Sequence, residues 1–427
     1  MSKILIGIVA DDFSGGSDAA SFFVKEGIET YLFNGIPEDS VLQAVGENIA
    51  VVVALKTRTA ETSKAVAESL QAFEWLKKNG AQQLFVKYCS TFDSTPKGNI
   101  GPIIDSVLKK YNIKYTVLAP ALPVNGRIVK DGHLIVNGVP LHQTHMKNHP
   151  LTPMWDSDIA KLMEPQGEYP SLKINHQLLE RSNEEILKVI DDFGQDKEHF
   201  YVIPDYIEER HAAKIVQLFG GLPLLTGGSG LMTELGRKYN AEINVTSEIV
   251  ADGTNGKAII LAGSCSTATL QQIEEFKGVS SNHYRIDPLK LMDGTQTKEE
   301  IWAKVSATTE DAVLVYSSDK PEGIKEAQKL GADLVSARLE QTTAFLAKKA
   351  VENGYNRIIV AGGETSGAVT KILGYHSYLV GNSIAPGVPI MVPLENTSLR
   401  LVLKSGNFGQ PDFFTKAVEM TKEDSNE

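Results

Sequence analysis

A chain of 427 residues and 46.5 kDa exceeds what one ordinary core organises, so two domains are expected. Apolar residues at 42% and charged residues at 22% are ordinary globular values, and a formal net charge of -11 argues against nucleic acid or an anionic membrane as the main partner. Two cysteines, Cys89 and Cys265, lie far apart with no CxxC or Cys/His spacing, which excludes a zinc ribbon and a disulfide framework.

The first apolar run, Ile4–Val9, is too short to cross a bilayer and reads as a strand, so a cytoplasmic location is expected. Further strands are predicted at Thr30–Phe33, Ile49–Leu55, Leu84–Lys87, Tyr115–Ala119, Phe200–Ile203 and Pro223–Leu225. Helices are clearest at Thr62–Lys78 and Asn99–Tyr111. A near-continuous apolar run such as IAVVVAL implies burial on both faces, hence a mostly parallel sheet. Gly126 to Asp156 has no clear period and holds four histidines, and a loop of that length is expected to be functional.

Residues 241–256 also lack a period and end in Asp252-Gly253-Thr254-Asn255-Gly256; they are predicted to link a domain at 1–240 to another at 257–427. Beyond them strands are predicted at Ala258–Ala262, Ala312–Tyr316, Arg357–Ala361 and Leu399–Leu403, with helices at Thr267–Phe276 and Thr342–Asn353. The expected fold class is α/β: two α/β domains, each with a mostly parallel sheet flanked by helices, and an active site in the cleft between them.

Chemistry-bearing residues gather after predicted strands, where open parallel sheets bind ligands. Strand Ile4–Val9 runs into Asp11 and Asp12, either of which can orient or deprotonate a hydroxyl or ligate Mg2+. Capping the next helix needs only one carboxylate, and Asp18 is expected to supply it. Lys56 and Arg58 follow Ile49–Leu55; Lys87, Ser90, Thr91 and Asp93 follow the strand at Leu84. An Arg fork suits a carboxylate, while hydroxyls and Asp suit a polyol. Asn125, Arg127 and His133 cluster further on as weaker candidates. In the second half, GSCSTAT, GGETSGAV and KSGNFG each follow a strand with a Gly/Ser/Thr turn. The first two open helices, whose free N–H groups accept phosphate. No GxxxxGK[ST] occurs, which excludes a P-loop, and no strand–GxGxxG–helix unit favours a nicotinamide enzyme.

VADDFSGGSDAA at the start, with GGETSGAV and LKSGNFG near the end, resembles the four-carbon acid sugar kinase family. ASFFVKEGIETYLFNGIP, KYCSTFDSTPKGNIGP, PVNGR and the HPLTPM run at His149–Met154 look most like its 3-oxo-tetronate branch. The resemblance spans about Ile4 to Phe414. It implies an N-terminal sugar-acid-binding domain, a C-terminal ATP-binding domain, and transfer of the γ-phosphoryl of ATP to the 4-hydroxyl of a 3-oxo-tetronate. It further implies nucleotide contacts at Ser264, Gly362, Gly363, Glu364, Thr365 and Gly406. On that reading Arg58, Lys56 and Lys87 hold the substrate's carboxylate and 3-oxo oxygen, and Asp12 takes the 4-hydroxyl proton. Mg2+ bridges the β- and γ-phosphates, with Glu364 or Asp11 close by and no definite metal ligand set. A threonate or erythronate kinase, an ATP-independent sugar-acid lyase or isomerase, and a non-catalytic sensor are the alternatives, and homo-oligomerisation stays open.

Overall fold

A computed structural model describes residues 4–44, 46–149, 151–243, 252–319, 326 and 329–423. The chain divides into two compact units, Met1–Ile249 and Val250–Glu427. Of the expected linker, residues 241–243 complete the helix Met232–Ile243, and residues 244–251 lie outside the described ones. Thr254 belongs to the second unit: its N–H donates to the Thr421 carbonyl (3.0 Å) and its Oγ1 to that of Ser398 (2.8 Å).

The first unit contains β1 (Ile4–Ala10), β2 (Thr30–Asn34), β3 (Ile49–Ala54), β4 (Ala81–Lys87), β5 (Tyr115–Ala119), β6 (Arg127–Lys130), β7 (His133–Val136), β8 (Val139–Pro140), β9 (Ser171–Ile174), β10 (Phe200–Pro204) and β11 (Leu224–Gly227). Eight of these form one sheet in the order β2-β3-β1-β4-β11-β5-β10-β9, every neighbouring pair parallel. Every residue of β1 and β3 is buried, which is why these segments carry no polar side chain. Each Val or Ile so buried contributes about 1.5–3 kcal/mol. Helices lie close: a Cβ on Gly7 would meet Leu76 of helix Thr62–Lys78 at 2.9 Å. One on Gly16 of helix Phe13–Lys25 would meet Leu32 and Ala54 at 3.1 Å. From β1 the chain first builds β2 and β3 on one side, then β4 and the rest on the other. The carboxyl ends of β1 and β4 therefore flank the topological switch point, where such sheets bind ligands.

The stretch Gly126–Asp156, expected as a loop, instead folds β6, β7 and β8 into a small antiparallel sheet. Its turns put Asp131-Gly132 (φ +52°, +75°) and Asn137-Gly138 (φ +50°, +80°) in the left-handed region. Asp-Gly and Asn-Gly turns with both φ positive match the twist of a tight hairpin.

The second unit contains β12 (Lys257–Ala262), β13 (His283–Arg285), β14 (Ala312–Tyr316), β15 (Tyr355–Ala361), β16 (Ser377–Ala385), β17 (Val388–Pro393) and β18 (Arg400–Lys404). Their order is β13-β14-β12-β15-β18-β17-β16, parallel from β13 to β18 and antiparallel beyond. The run β13-β14-β12-β15 repeats the winding of β2-β3-β1-β4. Its longest described helix, Ala332–Glu352, starts ten residues before the expected Thr342, because Val335 is the one buried side chain of that early stretch and leaves little apolar period to read. Arg357 on β15 is fully buried and satisfied: it donates to the carbonyls of Gly256 and Val418 (2.9 Å each) and to Asp311 Oδ1 (2.6 Å). No described helix is long and apolar enough to cross a membrane.

Candidate active site

At the switch point of the first unit the side chains are charged. Arg58, just beyond β3, forks onto Asp11 with Nε and Nη2 each 2.8 Å from a carboxylate oxygen, and its Nη2 also reaches Asp12 Oδ2 at 2.9 Å. Burial pushes the Asp11 carboxyl above the usual range, with Arg58 pulling the other way. Burial opposes the Arg58 charge, but the Asp11 bonds outweigh it and hold the guanidinium above its ordinary value. Both Asp11 oxygens and the Nε and Nη2 of Arg58 are thereby committed, whereas Asp12 keeps 35% of its side chain exposed against 12% for Asp11.

Asp12, not Asp18, caps helix Phe13–Lys25, its Oδ1 accepting from Gly15 N–H. The expectation for Asp18 fails because a residue in the second turn of a helix is past the free N–H groups. Asp18 is instead half-buried, accepts a hydrogen bond from Ser229 Oγ, and is pushed above the usual carboxyl range by desolvation, with Lys87 opposing. Lys87 ends β4 with 3% of its surface exposed and donates to the Tyr88 carbonyl at 3.0 Å. A Cβ on Gly15 would stand 2.6 Å from Asp12 Oδ1 and 3.3 Å from Lys87 Nζ, so only glycine lets the helix start enter this cluster.

A narrow cleft opens here, lined by Asp11, Thr57, Arg58, Lys87, Asp93 and Asn99 among others. Asp93 Oδ1 is buried with no hydrogen-bond partner among the described residues. An orphaned carboxylate oxygen beside a polar cavity is what a ligand hydroxyl would satisfy. Thr91 lies at hydrogen-bond reach of Cys89 Sγ (3.4 Å), whose thiol burial pushes up to about 12. Ser90 packs its Cα near Gly228, and Lys56 is exposed on the loop after β3.

The other first-half candidates do not line this cleft. His133 lies on β7 with Nδ1 3.1 Å from Ser157 Oγ. Arg127 on β6 donates from Nη1 to the Asn125 carbonyl at 2.5 Å, leaving its Nε buried and unpartnered among the described residues. The loop Gly227–Gly230, missed in the sequence, joins these parts. Its added Cβ atoms would stand 2.3, 2.6 and 2.1 Å from the carbonyls of Ala119, Pro120 and Ala121 at Gly227, Gly228 and Gly230. That backbone approach carries Ser229 to Asp18.

In the second unit the three glycine turns converge. A Cβ on Gly406 would meet Ser264 Oγ at 2.2 Å, one on Gly263 would meet Thr365 Oγ1 at 2.2 Å, and one on Gly362 (φ +132°) would meet the Ser264 nitrogen at 3.1 Å. Gly362 begins helix Gly363–Leu373 with no side-chain cap, leaving its first N–H groups open; Gly363 and Glu364 are exposed there and Thr365 is buried. Ser266 Oγ and Thr269 Oγ1 donate to the Gly406 carbonyl at 2.6 and 2.9 Å. Beneath it Lys404, which sequence reasoning left out, is 1% exposed and donates to Thr269 Oγ1 (3.0 Å) and the carbonyls of Ser405 (3.2 Å) and Gly406 (2.9 Å). Burial pulls its ammonium down to about 8. Uncapped N–H groups, side-chain-free turns and a buried cation form a cradle for an anion.

The fold and these two sites define a two-unit α/β enzyme, one unit equipped with charged side chains for a polar organic ligand and the other with backbone for phosphates. Residues 6–235 match the model of a sugar-binding N-terminal domain, and residues 259–414 that of a nucleotide-binding C-terminal domain. A Brucella melitensis 3-oxo-tetronate kinase is 39% identical over 99% of this chain and 97% of its own length. A Haemophilus influenzae 3-oxo-tetronate kinase is 36% identical over 97% and 100%. A crystal structure of a Haemophilus influenzae protein superposes with a TM-score of 0.86 at 36% identity, covering 97% of this chain and 99% of that one. One of a Salmonella typhimurium protein described as a putative tRNA synthase gives 0.88 at 36% identity, covering 96% and 98%. The chain belongs to the four-carbon acid sugar kinase family, among relatives named 3-oxo-tetronate kinase, and is a kinase.

Proposed function

We propose that this kinase transfers the γ-phosphoryl of ATP to the 4-hydroxyl of a 3-oxo-tetronate, giving the 4-phosphate and ADP. The observation that carries it is the cluster of Asp11, Asp12, Arg58 and Lys87 at the switch point of the unit matched to sugar-binding domains. The names of the relatives, at 36–39% identity over nearly the full length, support the four-carbon 3-oxo acid.

Phosphoryl transfer asks mainly for position and charge. Lys87 and the exposed Lys56 supply positive charge to the substrate's carboxylate and 3-oxo oxygen, and Arg58 orders the two aspartates. Asp93 Oδ1, lacking a partner among the described residues, takes a substrate hydroxyl. Asp12 is the more open of the pair and accepts the 4-hydroxyl proton as the bond to phosphorus forms. The turns at Ser264, Gly362–Thr365 and Gly406 hold the triphosphate through backbone N–H groups. Glu364 at the open helix start would hold Mg2+, which would supply positive charge to the phosphates.

An ADP-release assay with Mg-ATP against D- and L-threonate, erythronate and fresh 3-oxo-tetronates tests this. Release with the 3-oxo acids alone supports the proposal, and release with threonate or erythronate alone moves the substrate. Turnover of an acid without ATP replaces the kinase chemistry altogether. Asp12→Asn is expected to lower kcat by about 10²–10⁴-fold with ATP affinity little changed; intact turnover removes Asp12 as the base.

A further inference from the structure

Gln272 is fully buried, yet its side chain serves a surface loop. Its Nε2 lies 3.0, 3.1 and 3.1 Å from the carbonyls of Phe408, Gly409 and Gln410. The Phe408 N–H closes a turn on the Ser405 carbonyl at 3.2 Å. Gly409 adopts φ +84° so tightly against Phe413 that a Cβ there would stand 2.5 Å from the ring. Phe413 is itself buried in the core of this unit. The backbone on both sides of Phe408 is thus fixed from below, while its own ring is 37% exposed.

Desolvating the Gln272 amide costs free energy, since its Oε1 is buried without a partner among the described residues. That arrangement makes physical sense if the ring meets a ligand. The loop that carries it starts at Gly406, the turn packed on Ser264 and anchored by Ser266, Thr269 and Lys404. Phe408 is the second residue after Gly406, at most about 7 Å of chain away, within the span of a nucleoside. An exposed aromatic ring on a held backbone, that close to an anion cradle, is complementary to a molecule with a flat base at one end and phosphates at the other.

We propose that Phe408 is the base-stacking platform of the nucleotide site, with Gln272 as the residue that positions it. This rests on reading the second unit as the ATP-binding one. Stacking uses the π-face of a base and not its edge, so the contact itself serves ATP and GTP alike.

The test measures binding of ATP and GTP to the full-length protein, with inorganic tripolyphosphate competed against ATP, for wild type, Phe408→Ala and Phe408→Trp. Phe408→Ala is expected to weaken ATP and GTP about tenfold or more, the usual scale for one stacked base, and to leave tripolyphosphate within about twofold. Phe408→Trp restores both nucleotides. Equal weakening of all three ligands overturns the platform, because the ring then acts on the shape of the phosphate turn. Unchanged nucleotide binding in Phe408→Ala overturns it outright. Absence of ATP binding in the wild type instead removes the nucleotide reading and the platform with it.

Discussion

Lys404 ties the charge of the nucleotide cradle to pH. Its ammonium is 1% exposed, is held by Thr269 Oγ1 and the carbonyls of Ser405 and Gly406, and is pulled from 10.5 down to about 8 by burial. Between those values the unfolded chain binds the proton more strongly than the fold does, so this group lets stability rise with pH. Activity runs the opposite way. At pH 7 roughly nine in ten molecules carry the cation, and at pH 9 roughly one in ten. Loss of the proton removes positive charge beneath the phosphates and one donor from the Gly406 turn. The kcat/KM for ATP is therefore expected to fall about tenfold from pH 7 to pH 9, most of it above pH 8. At saturating ATP the bound triphosphate favours the cation, so kcat holds to higher pH. Lys404→Arg keeps its charge throughout, at about 1–3 kcal/mol for overpacking, and should flatten the profile whatever its absolute rate. A wild-type profile flat to about pH 9.5, or the same limb in Lys404→Arg, refutes the reasoning.

Asp11→Asn takes the carboxylate from the 2.8 Å Arg58 fork. Breaking a fully buried pair costs about 3–5 kcal/mol, but Arg58 is 24% exposed and keeps Asp12, so about 2 kcal/mol and a Tm lower by roughly 4–8 °C are expected by calorimetry; an unchanged Tm denies the fork a structural role. Gly406→Ala drives a Cβ to within 2.2 Å of Ser264 Oγ and should lower ATP affinity about tenfold or more by titration, where wild-type affinity would dissolve the turn's role. Asp105 is 2% exposed, accepts from Tyr201 O–H and Glu168 N–H, and is pushed by burial from 3.8 to about 6. The fold then holds that proton more strongly than the unfolded chain, so stability falls as pH rises from 3.8 to about 6, by about 3 kcal/mol at most. Urea unfolding at pH 4.5 and 7 should show less of that loss in Asp105→Asn, and an identical loss in both proteins assigns it elsewhere.

The fully buried parallel strands were readable because nothing in them is polar; β1 and β3 announce themselves by composition alone. The glycine turns were readable because close backbone approach admits few other residues. The small sheet β6–β8 was missed although Asp131-Gly132 and Asn137-Gly138 carry the local hairpin signal, since His and Lys obscured the two-residue alternation around them. Asp18 and Lys404 were missed for another reason. Their roles depend on partners distant in sequence: Ser229 lies 211 residues from Asp18, and Thr269 lies 135 from Lys404. No local pattern encodes such a pairing, and a polar residue beside a helix start or strand end looks the same whether it caps, solvates or is buried.

The repeated winding makes the chemical contrast between the units informative. Each ends a parallel strand in a nearly fully buried lysine whose Nζ curls onto the next carbonyl, Lys87 onto Tyr88 at 3.0 Å and Lys404 onto Ser405 at 3.2 Å. Around Lys87 the fold supplies its own anions: the cation acts on Asp11 and Asp18, and Gly15 brings Asp12 alongside. Around Lys404 the described residues supply neutral oxygens and the Phe413 ring, 5.7 Å from Nζ, and burial is the cause of its lowered pKa. A buried cation without a counter-charge is an expensive feature unless a ligand completes it. On the proposed function the first site, whose lysine already faces carboxylates, would take a singly charged acid and steer its hydroxyls by directional side chains. The buried lysine of the second has no counter-charge among its described hydrogen-bond partners, and on the proposed function a triphosphate would bring one.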